Sequence, residues 1–162
     1  MTNLGLEQAL ADLGVGLERA PVGDRYVLEA LKAKDATLGG ETSGHIICRD
    51  RTTTGDGIVA ALQVLAEVVD TGQSLRGLKA RMQKLPQVLR NVPVSPGADP
   101  LRSETVRAAV RAAETRLGAT GRLLLRPSGT EPVVRVMVEG QDLQCVESLA
   151  GLLAEAIAHQ PN

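Results

Sequence analysis

The spacing of apolar residues changes several times along this chain, and each change predicts an element. A spacing of three to four over Leu4 to Leu13 predicts a helix, and Val15 to Arg19 has the character of a short strand. Asp24 precedes a second helical run through Lys34 and is expected to cap it. Apolar runs at Ala36 to Gly40 and His45 to Cys48 read as strands on either side of a polar loop. Over Asp56 to Asp70 the polar residues Asp56, Gln63, Glu67 and Asp70 fall on one narrow stripe, so this helix should be deeply buried. Helices and strands alternating from Leu4 to Asp70 predict an α/β layer arrangement.

From Thr71 to Pro86 the pattern shifts. Gly72 and Gly77 punctuate it, and Ser74 to Lys84 reads as a basic amphipathic helix ending before Pro86, which makes residues 71–85 a candidate linker. Its Arg76, Lys79, Arg81 and Lys84 are read as a solvated face. Gln87 to Val94 then reads as a strand and Pro96 to Pro100 as a loop. Ser103 is expected to cap a helix that buries Val106, Val110, Ala113 and Leu117, with Gly118 to Gly121 as its stop. Arg122 to Arg126 and Val133 to Val138 form two strands, and Asp142 opens a last helix burying Val146, Leu149, Ala150, Leu153 and Ile157. The order strand, helix, strand, strand, helix suits an antiparallel sheet with helices on one face. The whole chain is therefore expected to be α/β followed by α+β, in two small domains.

Composition narrows the function. The chain has 162 residues, 43% of them hydrophobic, enough for packed cores. With 18 basic and 19 acidic residues its net charge is −1, which points away from electrostatic attachment to nucleic acid or membrane. Any anion site must be local. There is no Trp, no Phe and a single Tyr, Tyr26, so aromatic platforms for stacking bases are excluded. Cys48 and Cys145 are isolated, without metal-ligand spacing, and read as free thiols in a reducing compartment. No apolar run reads as a membrane span or a signal peptide, and a cytoplasmic location is expected.

Two loops carry candidate chemistry. Arg126-Pro127-Ser128-Gly129-Thr130-Glu131-Pro132 places a guanidinium, two hydroxyls and a glycine-permitted turn between two apolar runs. Arg126 offers a planar pair of donors, Ser128 and Thr130 add hydroxyls, and a turn at Gly129 can aim backbone N–H groups into an anion-sized concavity. A plain hairpin with a polar turn would need neither the arginine nor the second hydroxyl. Glu131 would repel a phosphate and is expected to turn away and pair with a cation such as Arg135. Arg135 itself either buttresses the loop or touches phosphate. Upstream, Gly39-Gly40-Glu41-Thr42-Ser43-Gly44-His45 brackets a carboxylate, two hydroxyls and an imidazole with glycines. Glu41 can accept from two neighbouring sugar hydroxyls and Ser43 can donate or accept. Taken alone, the same residues equally fit a tight turn, with His45 packed, solvated, shaping the loop or passing a proton. Asp56 is assigned to capping its helix, because a single carboxylate does not make a Mg²⁺ site.

These two loops, in this order, resemble those of the α-D-phosphohexomutases. Val22-Gly23-Asp24-Arg25-Tyr26-Val27, Thr52-Thr53-Thr54-Gly55-Asp56-Gly57 and Arg135-Val136-Met137-Val138-Glu139-Gly140 resemble the amino-sugar branch of that family more than its phosphomannomutases. The resemblance covers nearly the whole chain but only the end of the family's protein. It implies that residues 1–70 are a truncated three-layer α/β sugar-binding domain, the family's third, with its first strand missing, and that residues 86–162 are the phosphate-binding fourth. It implies an isomerase that interconverts glucosamine 6-phosphate and glucosamine 1-phosphate through a phosphoserine, a bound Mg²⁺ and glucosamine 1,6-bisphosphate. The sugar-binding residues would be Glu41, Ser43 and His45, and the phosphate-binding residues Arg126, Ser128, Gly129, Thr130 and Arg135. The family's phosphoserine and three-aspartate metal loops belong to its first two domains and neither pattern occurs here. No catalytic residue or metal ligand is therefore expected on this chain, which would need those domains as partners to turn over its sugar phosphate. The alternatives are a noncatalytic sugar-phosphate binding or interaction module, or a mutase of another specificity such as a phosphomannomutase.

Overall fold

The computed structural model describes residues 1–95 and 97–159; the Pro96 start of the expected loop lies outside the described residues, as do residues 160–162. Two compact units emerge, Met1–Gln83 and Lys84–Asn162. The division places most of the stretch expected as a linker in the first unit.

In the first unit, α1 (Leu4–Asp12) is capped by Asn3, whose side chain accepts from Gly5 N, and is followed by α2 (Asp24–Ala33). The N-cap of α2 is Gly23, not Asp24. Gly23 adopts φ 131°, which a side chain resists, while Asp24 Oδ1 accepts only from the neighbouring Arg25 N at 2.8 Å. Strands β1 (Leu38–Gly40) and β2 (Ile46–Cys48) pair antiparallel with Gly40 opposite Ile46. Gly39 lets β1 lie against α2, since a Cβ there would stand 2.6 Å from Val27 Cγ1. The expected strand at Val15 to Arg19 is absent. Val15 N instead donates to Leu10 O at 2.9 Å, and the Arg19 guanidinium is held by Glu7 Oε2 at 2.6 Å and Thr2 O at 3.0 Å, so the segment is tied to α1 rather than to a neighbouring strand.

Helix α3 (Gly57–Thr71) starts as expected: Asp56 Oδ1 accepts from Ile58 N at 2.8 Å and Val59 N at 3.0 Å. Gly72, at φ 64°, ends it. Its burial does not follow the expectation. Ile58 is 75% exposed, Leu62 56%, Leu65 57% and Val69 78%. A helix of 15 residues is about 22 Å long, whereas strands of three residues reach only about 10 Å. A two-stranded sheet of that size cannot cover a helix that is apolar almost all round. The expected helix at Ser74 to Lys84 is also shorter, α4 (Leu75–Lys79), with Ser74 as its cap and Leu75 exposed. The helix runs out in i→i+3 bonds, Arg81 N to Leu78 O and Met82 N to Lys79 O at 3.3 Å, the tightened turn that ends it.

The second unit is built around β5 (Val133–Gly140), the central strand between β3 (Gln87–Pro93) and β4 (Gly121–Pro127), all antiparallel. Helices α5 (Glu104–Leu117) and α6 (Leu143–Ala158) complete the expected order. Val134, Val136 and Val138 of β5 form one core with Val106, Ala113 and Leu117 of α5 and Val146, Leu149, Ala150, Leu153 and Ile157 of α6; Val110 is partly buried beside it. Asp142 caps α6 through Gln144 N at 2.9 Å. Ser103 occupies the N-cap of α5, but its side chain makes no capping bond, and its carbonyl accepts from Arg107 N at 3.0 Å.

This contrast in covering predicts a contrast in protection. Segment-resolved hydrogen exchange should find Gln87 to His159 well protected and Met1 to Asp70 exchanging much faster, because local opening is easiest where few apolar contacts hold an element down. Equal protection of α3 and α6 would contradict this.

Candidate functional site

Strand alternation arranges the face of this sheet opposite Val134, Val136 and Val138 in rows. Gln87, Glu139 and Arg122 form one row, Leu89, Met137 and Leu124 the next, and Asn91, Arg135 and Arg126 the third. In the first row Glu139 is fully buried. Its Oε1 accepts from Arg122 Nε at 2.5 Å and its Oε2 from Gln87 Nε2 at 2.7 Å, so both oxygens of a buried carboxylate are satisfied. Nothing in the sequence pattern pointed to this buried trio.

The third row carries the candidate anion site. Arg126 and Arg135 are directly opposite each other across β4 and β5, an arrangement that costs stability when two like charges face each other without a counter-ion. The Nε atoms of both arginines are buried and lack a hydrogen-bond partner. The loop 128–132 closes over this end of the strands: Ser128 N donates to Val133 O at 2.8 Å, Val133 N to Glu131 O at 2.8 Å, and Val94 N to Pro132 O at 2.9 Å. Arg135 Nη2 reaches Ser128 Oγ at 3.5 Å and Glu131 Oε2 at 3.4 Å, so Glu131 does pair with Arg135. The glycine-permitted turn is not of the expected kind. Gly129 does not adopt left-handed backbone, and a Cβ there would meet no atom within 4 Å. The chain itself has no need of glycine at this point; its lack of a side chain leaves open space beside Ser128 and Thr130.

The upstream loop joins β1 to β2. Gly44, at φ 100°, makes the turn, and Glu41 N donates to His45 O at 3.0 Å. Glu41, Ser43 and His45 converge: Ser43 Oγ donates to Glu41 Oε1 at 2.5 Å, while His45 Nδ1 lies 2.8 Å from Ser43 Oγ and 3.0 Å from Glu41 Oε1. The Ser43 hydroxyl first, then His45, hold the Glu41 carboxyl below its usual range, with Gly23 adding a backbone N–H bond. The carboxylate is therefore charged and ready to accept from hydroxyls at neutral pH. Gly55 backs His45, since a Cβ there would stand 3.2 Å from His45 Cβ. Gly23 and Gly55 thus support this loop from segments whose role the residue types did not reveal. Among the described residues no cluster of three His, Cys, Asp or Glu stands ready to hold a metal ion, and Asp56 is engaged at the start of α3. No helix among them is long and apolar enough to cross a membrane.

Comparison with known proteins gives this arrangement its context. Residues 1–85 match the phosphoglucomutase/phosphomannomutase alpha/beta/alpha domain III, and residues 89–156 match the phosphoglucomutase/phosphomannomutase C-terminal domain. The chain is 60% identical over 158 residues to a phosphoglucosamine mutase of Nitrosococcus oceani, a match covering 98% of this chain and 35% of that protein. A phosphoglucosamine mutase of Halorhodospira halophila is 60% identical over 157 residues, covering 97% and 34% respectively. The chain thus spans about a third of the length of these relatives. An Aspergillus fumigatus N-acetylphosphoglucosamine mutase, solved in complex with GlcNAc-6P and magnesium, shares the fold with a TM-score of 0.72 at 21% identity, over 94% of this chain and 38% of that one. The chain belongs to the phosphoglucomutase/phosphomannomutase family and carries its domain III and its C-terminal domain.

Proposed function

We propose that this chain is the sugar- and phosphate-binding portion of a phosphoglucosamine mutase, an isomerase interconverting glucosamine 6-phosphate and glucosamine 1-phosphate by way of glucosamine 1,6-bisphosphate. The observation that carries the reading is the Arg126 and Arg135 pair, two guanidiniums opposite each other with buried, unpartnered Nε atoms beside a hydroxyl-bearing loop. Such a pair is complete only with an anion. Identity of 60% to phosphoglucosamine mutases supports the choice of activity.

In this reading residues 86–162 bind phosphate and residues 1–70 read the sugar. Arg126 and Arg135 supply charge, Ser128 and Thr130 supply hydroxyl donors, and Gly129 leaves room for the ligand. Glu41 and Ser43 accept from ring hydroxyls, the Ser43 proton being held by Glu41, and His45 holds the two in position. The bisphosphate must turn around between the two transfers, so its contacts are best made to groups that both orientations present: adjacent hydroxyls and a phosphate. A magnesium ion does not fit the described residues, among which no three His, Cys, Asp or Glu cluster, and no step proposed for them runs through one. The metal ligands and the phosphoserine of the complete enzyme are assigned to the portion of the relatives that this chain does not span. Cys48 and Cys145 are free thiols, in keeping with work in the cytoplasm.

Titration of the ¹⁵N-labelled chain with inorganic phosphate tests the site. Resonances of residues 126–135 should move together at millimolar phosphate while those of α6 stay in place. Shifts spread over the chain with none in this loop would remove the basis of the proposal.

A further inference from the structure

Glu131 is the one member of the phosphate loop whose charge opposes a phosphate. Its side chain is 59% exposed, and it faces Arg135 at 3.4 Å, longer than a well-formed charge-assisted hydrogen bond. The loop does not depend on this carboxylate for its shape, because its closure runs through main-chain bonds: Ser128 N to Val133 O, Val133 N to Glu131 O, and Val94 N to Pro132 O. The carboxylate therefore supplies partial, easily broken neutralisation to a guanidinium pair that otherwise lacks an anion.

We infer that Glu131 is an internal competitor for the phosphate site: it occupies Arg135 when the loop is empty, gives way when a phosphate monoester arrives, and returns as the ester leaves. The inference rests on the phosphate-binding reading above and adds a role to it. A site that must let go of one phosphate to receive the other gains from a carboxylate that lowers affinity and fills the vacated arginine. Contact at an exposed position is weak, so the effect is modest in size but definite in sign.

The test uses methyl phosphate, a monoester dianion above its second ionisation near pH 6, titrated into the full chain and followed by NMR at residues 126–135. Glu131→Gln, and independently Glu131→Ala, should tighten binding about two- to fivefold. In an Arg135→Ala background the gain should vanish, since the competitor then has nothing to hold. Weaker binding in both Glu131 variants would show that the carboxylate supports the loop, and an unchanged gain without Arg135 would show plain repulsion of the ligand; either result overturns the inference and leaves the phosphate site standing. No methyl phosphate binding at this loop in the unsubstituted chain would overturn the inference together with the site.

Discussion

Replacing Glu139 by alanine should destabilise the C-terminal unit by about 3–5 kcal/mol, the cost of breaking a buried ion pair by removing one partner. Glu139 lies on the central strand with no exposed surface, held by Arg122 on one side and Gln87 on the other. Its loss takes away the carboxylate 2.5 Å from the Arg122 guanidinium, which is only 24% exposed. Against a typical net stability of about 5–15 kcal/mol, that is a large fraction of the whole. Replacing Arg122 and Glu139 together by leucine should cost much less, because both charges of the pair are then removed together. Urea unfolding must be followed by circular dichroism or by NMR, because the only strong chromophore, Tyr26, reports on the other unit. A Glu139→Ala midpoint within experimental error of the unsubstituted protein would show that the trio does not hold the sheet.

Arg126→Ala should behave in the opposite way, losing binding without losing stability. Hydrogen bonds to charged groups contribute about 1.5–3 kcal/mol, so phosphate affinity should fall about ten- to hundredfold. Stability should stay level or rise slightly, because the substitution relieves the facing like charges of Arg126 and Arg135. Phosphate titration and urea unfolding of the same variant separate the two effects. A variant that binds phosphate normally, or one that unfolds before it stops binding, would assign Arg126 to structure instead.

How far the sequence foretold this molecule depended on whether the governing interaction was local. The Asp56 and Asp142 caps were legible because a capping carboxylate needs only the next three N–H groups of its own chain. The hairpin around Arg126 to Pro132 was legible from its apolar flanks and turn residues. Periodicity showed which side of α3 seeks burial but not that Ile58, Leu62 and Val69 would stay mostly exposed, since that depends on what else the fold supplies. Val15 to Arg19 failed for the same reason, as a strand exists only with a neighbour. The facing of Arg126 and Arg135, and of Glu139 with Arg122 and Gln87, depends on strand register, where a slip of one residue turns every side chain to the opposite face. Residue types identified the loop. Only the paired strands showed a second arginine directly opposite the first.

The most direct test is a coupled assay of glucosamine 1-phosphate formation, run on this chain alone and on the chain joined behind the rest of a phosphoglucosamine mutase relative. The chain alone should show no turnover, the joined protein should be active, and Arg126→Ala or Glu41→Ala in the joined protein should lower kcat/KM at least tenfold, the loss expected when about 1.4 kcal/mol of binding is removed. Turnover by the verified chain alone, or full activity of the joined Arg126→Ala protein, would contradict the assignment of these two loops as the sugar- and phosphate-binding half of an active site.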